Sequence, residues 1–149
     1  MTDQDYMQNA LDLAQQAEQH GEVPVGALVI YQGQIIGQGY NQPIAQHDAS
    51  AHAEIIALRQ AGQHLQNYRL CDCTLYVTLE PCMMCLGAMI HARIGRIVYG
   101  ASDPKTGVLG STTALHNQAF LNHYPKITAN VLSEPCGQLL RNFFKKRRT

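Results

Sequence analysis

Hydrophobic residues near the N-terminus recur at helical intervals. Tyr6, Ala10, Leu13 and Ala17 fall on one stripe, with Met7, Leu11 and Ala14 beside it. This pattern predicts a helix over residues 3–20 that stops at Gly21. The period then changes: "VPVGALVIYQGQIIGQGYN" reads as two strands joined by a turn at Gln32–Gly33. A helical pattern returns over residues 50–64, with Ser50 as its N-cap. "CTLYVTL" is apolar and β-branched and predicts a central strand buried on both faces. Pro81 is tolerated in a first helical turn, so the next helix is placed from Pro81 to about Ala92. "RIVYGA" is a fourth strand. Helical stretches over 107–121, a short strand over 127–132 and a helix from Pro135 to about Lys146 complete the chain.

Strands alternate with helices after the hairpin. That order predicts a layered α/β domain with a mixed sheet, its parallel part buried between helices. In such sheets, sites lie at the carboxyl ends of strands, where helices begin. No repeat, linker or low-complexity segment interrupts the pattern, so a single domain over residues 1–149 is expected.

Composition narrows the class. The hydrophobic share is 46% and the charged share 15%, which excludes long disorder. The polar, acidic start "MTDQDYMQNA" is unlike a signal peptide, and the apolar runs fall short of the roughly 20 residues a spanning helix needs. The expectation is a cytoplasmic protein with no membrane partner. Five cysteines, an odd count without a secretion signal, argue for metal binding or burial over a disulfide framework. Net charge is zero but divided: no Lys or Arg precedes Arg59, against seven acids, whereas eleven basic residues and four acids follow from Arg59 onward. Either an anionic partner meets one face, or the two halves attract each other across the fold.

The candidate chemistry lies at two predicted helix starts. His52 offers an imidazole, and Cys82 and Cys85 in "PCMMC" offer two thiolates on one helix face. Zinc accepts this mixture of nitrogen and sulfur, and a helix start favours thiolates. Three protein ligands leave the fourth tetrahedral position open, as in a catalytic site. Glu54, two residues after His52, is placed to approach the ion's water rather than the ion. Zinc lowers the pKa of bound water towards about 7, and a neighbouring carboxylate can carry the proton to a leaving group. Taken singly, His52 is a cap or core residue, Glu54 a solvated helix residue and the cysteines core. In order, at two helix starts, those readings become poor. A closed four-thiolate site from Cys71, Cys73, Cys82 and Cys85 is a rival, but it leaves His52 and Glu54 without a task.

H-x-E followed by P-C-x-x-C is the signature of the zinc-dependent nucleoside and nucleobase deaminases. Further stretches extend the likeness: "EVPVGALVI", "GYNQPIAQHDASAHAEIIALRQA", "NYRL", "TLYVTLEPCMMCLGAMIHARIGRIVYGASDPKTG" and the final "FFKKRR". From about Glu22 to Arg148 the chain resembles the bacterial tRNA-specific adenosine deaminases. The resemblance implies a three-layer α/β/α, cytidine-deaminase-like fold around a mixed five-stranded sheet. It also implies hydrolysis of adenosine to inosine at the anticodon wobble position, chiefly of an arginine tRNA.

On that resemblance His52, Cys82 and Cys85 bind one Zn2+ per subunit, and Glu54 is the catalytic proton carrier. The backbone N–H near Cys82 would donate to the oxygen where charge develops. Asn41 matches a position that hydrogen-bonds the flipped nucleotide, although a turn residue at a hairpin end is also often Asn. Val25, Ala53 and Leu79 match pocket walls; plain core is the alternative for all three. Asp103 and Lys105 lie in a loop matching one that meets the tRNA backbone, and Asp103 could equally cap its own turn. Phe143, Phe144, Lys145, Lys146, Arg147 and Arg148 combine stacking with positive charge, a surface suited to unstacked bases and phosphates. Phe144 and Arg147 are the substrate contacts expected there, with one phenylalanine turned inward. The Met-rich helix 83–92 is apolar on most sides, and the resemblance implies a homodimer in which the partner completes each pocket. Cys71, Cys73 and Pro104 depart from the family pattern without touching the catalytic set. Two other functions stay open: a deaminase of a free base or nucleoside of the guanine or cytidine type, and a non-catalytic zinc RNA-binding protein.

Overall fold

A computed structural model describes residues 1–147; Arg148 and Thr149 lie outside the described residues, and with them the tail cation expected at Arg148. The elements in order are α1 (Asp3–Gln19), β1 (Gly26–Tyr31), β2 (Gln34–Tyr40), α2 (Pro43–Gln46), α3 (Ala53–Leu65), β3 (Thr74–Leu79), α4 (Met83–His91), β4 (Arg96–Ala101), a 3-10 turn (Leu115–Asn117), β5 (Lys126–Thr128) and α5 (Ser133–Arg147). The strands form one five-stranded sheet in the order β2-β1-β3-β4-β5. β1 pairs antiparallel with β2 and with β3, whereas β3–β4 and β4–β5 are parallel.

Strand alternation divides the core into two layers. Ala27, Val29, Leu75, Val77, Ile97 and Tyr99 face α3 and α4. Leu28, Ile30, Tyr76 and Val98 face the other side, packed with Tyr6, Met7 and Ala10 of α1 and Cys136 of α5. The result is a three-layer α/β/α sandwich with β3 at its centre, buried on both faces as its run of apolar residues requires. Helix α1 begins with a capping box, in which Thr2 and Asp5 exchange hydrogen bonds. Its start is tied to the sheet by a bidentate ion pair between Asp3 and Arg96, and by the Tyr76 hydroxyl donating to Asp3 at 2.6 Å. Asp48–Arg59 likewise joins the acidic and basic halves, so part of the charge division is satisfied internally.

Boundaries differ from expectation where local hydrogen bonding wins over periodicity. Helix α3 starts at Ala53, not at Ser50; the Ser50 hydroxyl instead donates to Asp48 at 2.7 Å and closes a turn. Helix α4 starts at Met83, leaving Pro81 in the extended connection, where its carbonyl accepts the Val108 N–H at 3.0 Å. The segment 107–121 is not helical apart from Leu115–Asn117. The Leu109 and Ser111 N–H groups go to the Glu80 carboxylate instead of to helical carbonyls. The last strand ends at Thr128 rather than running to Leu132, because Asn130 and Leu132 adopt left-handed backbone (φ 65° and 54°). Helix α5 starts at Ser133, two residues before the expected Pro135, which its first turn accommodates. The short helix α2 had no signal in the periodicity; the buried Glu22 carboxylate accepts its Ile44 and Ala45 N–H groups.

Candidate active site

Two antiparallel pairings, β2–β1 and β1–β3, make β2 and β3 run in the same direction. Both strands therefore deliver the chain to the same edge of the sheet, and the helices that follow them, α3 and α4, begin side by side on one face. Gly39 near the end of β2 permits this closeness: a Cβ there would lie 2.5 Å from the Ala53 carbonyl oxygen. His52 is the residue before α3 and Cys82 the residue before α4, each in extended backbone.

A residue in that position commonly uses its side chain to cap the helix. Here the task is done from outside: Asn41 Oδ1 accepts the buried Ala53 N–H at 2.8 Å. The imidazole of His52 is thereby released to face the thiols, with Nδ1 3.7 Å from Cys82 Sγ and 3.5 Å from Cys85 Sγ. The donor atoms of these three residues all lie within 4.8 Å of one another, and no other such group occurs among the described residues.

Glu54, in the first turn of α3, is 4% exposed. Burial pushes its carboxyl up to about 7, opposed by hydrogen bonding from its backbone and reinforced by the negative Cys82 sulfur. Cys82 moves the other way, down to about 4, chiefly through the hydrogen bond from the Cys85 thiol against the cost of burial, with a further contribution from His52. Cys85 is pushed up as the thiol partner of that pair, and His52 is raised mainly by Cys82. Two sulfurs compete for one proton beside an imidazole and a half-neutral carboxyl. Such a set is relieved when a soft cation replaces the proton, so the donor chemistry fits zinc. Glu54 stands outside the three-donor set.

The other expected residues are distributed around this centre. Val25 immediately precedes β1 and Leu79 ends β3, which places them at adjoining ends of antiparallel neighbours. The Val25 carbonyl accepts the Asn41 N–H at 3.1 Å, so Val25, Asn41 and Ala53 are linked in sequence by hydrogen bonds. Val25 and Ala53 are buried and Leu79 is half-buried. Asp103 caps its own turn, accepting from the Lys105 and Thr106 N–H groups and the Thr106 hydroxyl, while Lys105 is exposed. At the C-terminus Phe143 is in the core (6% exposed) and Phe144 is outside (44%). Arg147 covers the Phe143 ring at 4.7 Å and donates to the Gly21 carbonyl, so in the free chain it is held against the α1–β1 turn.

The rival four-thiolate cluster does not assemble. Cys73 sits at the start of β3 and Cys82 beyond its end, so they are roughly 20 Å apart at 3.3 Å per strand residue. Cys71 is exposed and Cys73 buried.

Two carboxylates escaped the sequence reading. Glu22 and Glu80 are both 2% exposed and are saturated by N–H and O–H donors from the 44–45 and 103–111 segments. The signal was present for Glu80: an ionisable residue closing an otherwise apolar central strand needs buried partners.

The sequence and the overall fold have counterparts among known proteins. The model of the MafB19-like deaminases matches residues 1–148. A tRNA-specific adenosine deaminase of Haemophilus influenzae is 52% identical over 147 residues, 98% of this chain and 85% of that protein. A solved tRNA deaminase structure, from work on A-to-I editing at the wobble position of transfer RNA, superposes with a TM-score of 0.89 at 38% identity, covering 91% of this chain and 99% of the other. A guanine deaminase of Bacillus subtilis matches less completely, at 38% identity over 68% of this chain and 66% of the other, with a TM-score of 0.66.

Proposed function

The chain belongs to the MafB19-like deaminase family and, within it, to the tRNA-specific adenosine deaminases, and on that premise we propose that it converts adenosine to inosine at the wobble position of a tRNA anticodon, chiefly of an arginine tRNA. The observation that carries the proposal is the convergence of two helix starts on three metal-type donors with a buried glutamate beside them.

His52 Nδ1, Cys82 Sγ and Cys85 Sγ would hold one zinc ion per chain. Bound there, zinc supplies Lewis acidity and a water made nucleophilic at neutral pH. The chain's own residues do the rest. Glu54, buried beside the donors, takes a proton from the attacking water and delivers it to the purine ring nitrogen; the second water proton, on the new hydroxyl, then passes to the amino group, so that the C–N bond breaks and ammonia leaves as the carbonyl forms. The backbone N–H groups at the α4 start face the developing negative charge. Asn41 keeps its Oδ1 on Ala53 and turns its NH2 group to the flipped nucleotide. Val25, Ala53 and Leu79 wall the base. The exposed Lys105 meets backbone phosphates on the 103–106 loop, whose shape Asp103 sets. Phe144 offers a free aromatic face, and Arg147 exchanges its Gly21 contact for RNA.

A homodimer is part of this reading. Met83 is 72% exposed beside the Cys82 turn, and an open groove of about 710 Å³ between α3 and α4 combines apolar residues (Ile55, Leu58, Leu70, Ala88 and Ala92) with a polar margin that includes Arg59, Gln63 and Asn67. None of the described helices is long and apolar enough to cross a membrane, and the cell compartment where tRNA is modified, the cytoplasm, is the expected location.

The likeness to a guanine deaminase keeps one competitor in view, a free-base deaminase of the same chemistry. Incubation with an anticodon stem-loop and, separately, with guanine, cytidine and adenosine separates them. Release of ammonia and an A read as G in the loop alone supports tRNA editing; turnover of the free compounds alone refutes it.

A further inference from the structure

Among the described residues, Glu80 forms no ion pair that would explain its burial. Its carboxylate is used entirely as an acceptor, and every donor comes from one segment: the Asp103 N–H at 3.0 Å, the Leu109 N–H at 2.8 Å, the Ser111 N–H at 3.2 Å and the Ser111 hydroxyl. The remaining hydrogen bonds of residues 103–112 are internal or reach the residues that follow directly (Gly110 N–H to the Thr113 carbonyl, Leu115 N–H to the Val108 carbonyl), apart from the Val108 N–H to the Pro81 carbonyl. Among the described residues, apart from bonds to its own chain continuation at Thr113 and Leu115, this segment is hydrogen-bonded to the rest of the chain only through Glu80 and Pro81. Gly107 is pressed so closely on the carboxylate that a Cβ there would overlap it. On the other side, the Glu80 N–H is bound to the Ala101 carbonyl at 2.8 Å, and Cys82 follows two residues later.

We infer that Glu80 is a positioning residue for RNA: its carboxylate anchors the 103–111 loop to the end of β3, so that Lys105 is presented at a fixed place relative to the catalytic centre. The inference rests on the reading of Lys105 as a phosphate contact. It assigns Glu80 no contact with substrate or metal. Its effect therefore belongs in RNA binding and not in the chemical step.

The test is a kinetic double-mutant cycle on the zinc-loaded enzyme with an anticodon stem-loop. Glu80→Gln keeps the shape but turns an NH2 group towards N–H donors. KM should rise about tenfold, with kcat within about twofold and one zinc retained per chain. Lys105→Ala should also raise KM, and the double variant should show no further rise, because a displaced loop has already lost its lysine contact. Ser111→Ala removes one donor only and should raise KM less; it serves the same cycle if Glu80→Gln does not fold. If Lys105→Ala leaves KM unchanged, the phosphate-contact reading fails and takes this inference with it. If Lys105→Ala raises KM but neither Glu80→Gln nor Ser111→Ala does, the inference alone is overturned. Independent, multiplying effects in the double variant, or a loss confined to kcat, also overturn it.

Discussion

Substitution of Asn41 separates two roles that one side chain is asked to fill. Its oxygen caps α3 through the buried N–H of Ala53, whose hydrogen bond among the described residues goes to Asn41. Asn41→Ala strands that donor. Leaving a buried donor unpaired costs about 1–3 kcal/mol, and losing an N-cap costs a similar amount. A chain of this length shifts its melting temperature by about 2–4 °C per kcal/mol, so a central cost of about 2 kcal/mol lowers Tm by about 4–8 °C. Asn41→Asp retains the acceptor at a helix N-terminus, where negative charge is favoured, and should stay within about 2 °C of the parent. It loses both NH2 donors, so KM for the stem-loop should rise about tenfold for a lost hydrogen bond to substrate. Thermal melting and steady-state kinetics on the two variants read the roles apart. Equal Tm losses in both would refute the capping role. An unchanged KM in Asn41→Asp would refute the substrate contact.

Glu54→Gln should keep one zinc per chain and a parental melting curve while kcat falls by a factor on the order of 10² to 10⁴, the usual worth of a general acid–base; metal analysis beside a stem-loop assay checks it, and retained turnover would sink the proton-carrier role. Burial pushes the Cys73 thiol up to about 11 and that of Cys136 up to about 12, so iodoacetamide at pH 8 should label the exposed Cys71 in the zinc-loaded protein and spare both. Chelation should add Cys82 to the labelled set, since without metal its pKa is near 4, and peptide mapping reads the change. The hydrogen bonds from Arg96 hold the Asp3 carboxyl below its ordinary range, with Tyr76 assisting. A depressed folded-state pKa stabilises above the unfolded value, near 3.9, and that contribution is lost as pH falls through the folded value. Arg96→Ala should therefore lower Tm by about 2–4 °C at pH 7, for roughly 1 kcal/mol in a partly exposed pair, and the difference should shrink below about pH 4.

Sheet membership was legible because it depends on residue type along short runs. "CTLYVTL" and "RIVYGA" are apolar and branched enough to be central strands wherever they are placed, and the Gln32–Gly33 turn is marked by its own glycine. The candidate metal donors stood out for a different reason: a His and a pair of Cys at short spacings, with a Glu close by, are rarely needed together by a core. The tail divided as a helix must, since adjacent residues on α5 point about 100° apart, leaving Phe143 inside and Phe144 outside. Residues 107–121 misled the reading because helix periodicity is visible in sequence, whereas the destination of each N–H is not. Those groups went to a carboxylate more than twenty positions earlier in the chain.

By itself, the sequence determined which atoms could ligate a metal and which could move a proton, because donor chemistry belongs to the side chain and needs no neighbour. Only the tertiary structure decided that these atoms meet. Two antiparallel pairings turn β2 and β3 to the same edge, and two helices then begin there in contact. It also decided Glu54's proton affinity, since the largest cause of its upward shift is the burial that folding imposes on the carboxyl. The tasks of Asn41, Glu22 and Glu80 belong to the same class. Each serves backbone groups distant in sequence, and closing those distances is what the packed fold does.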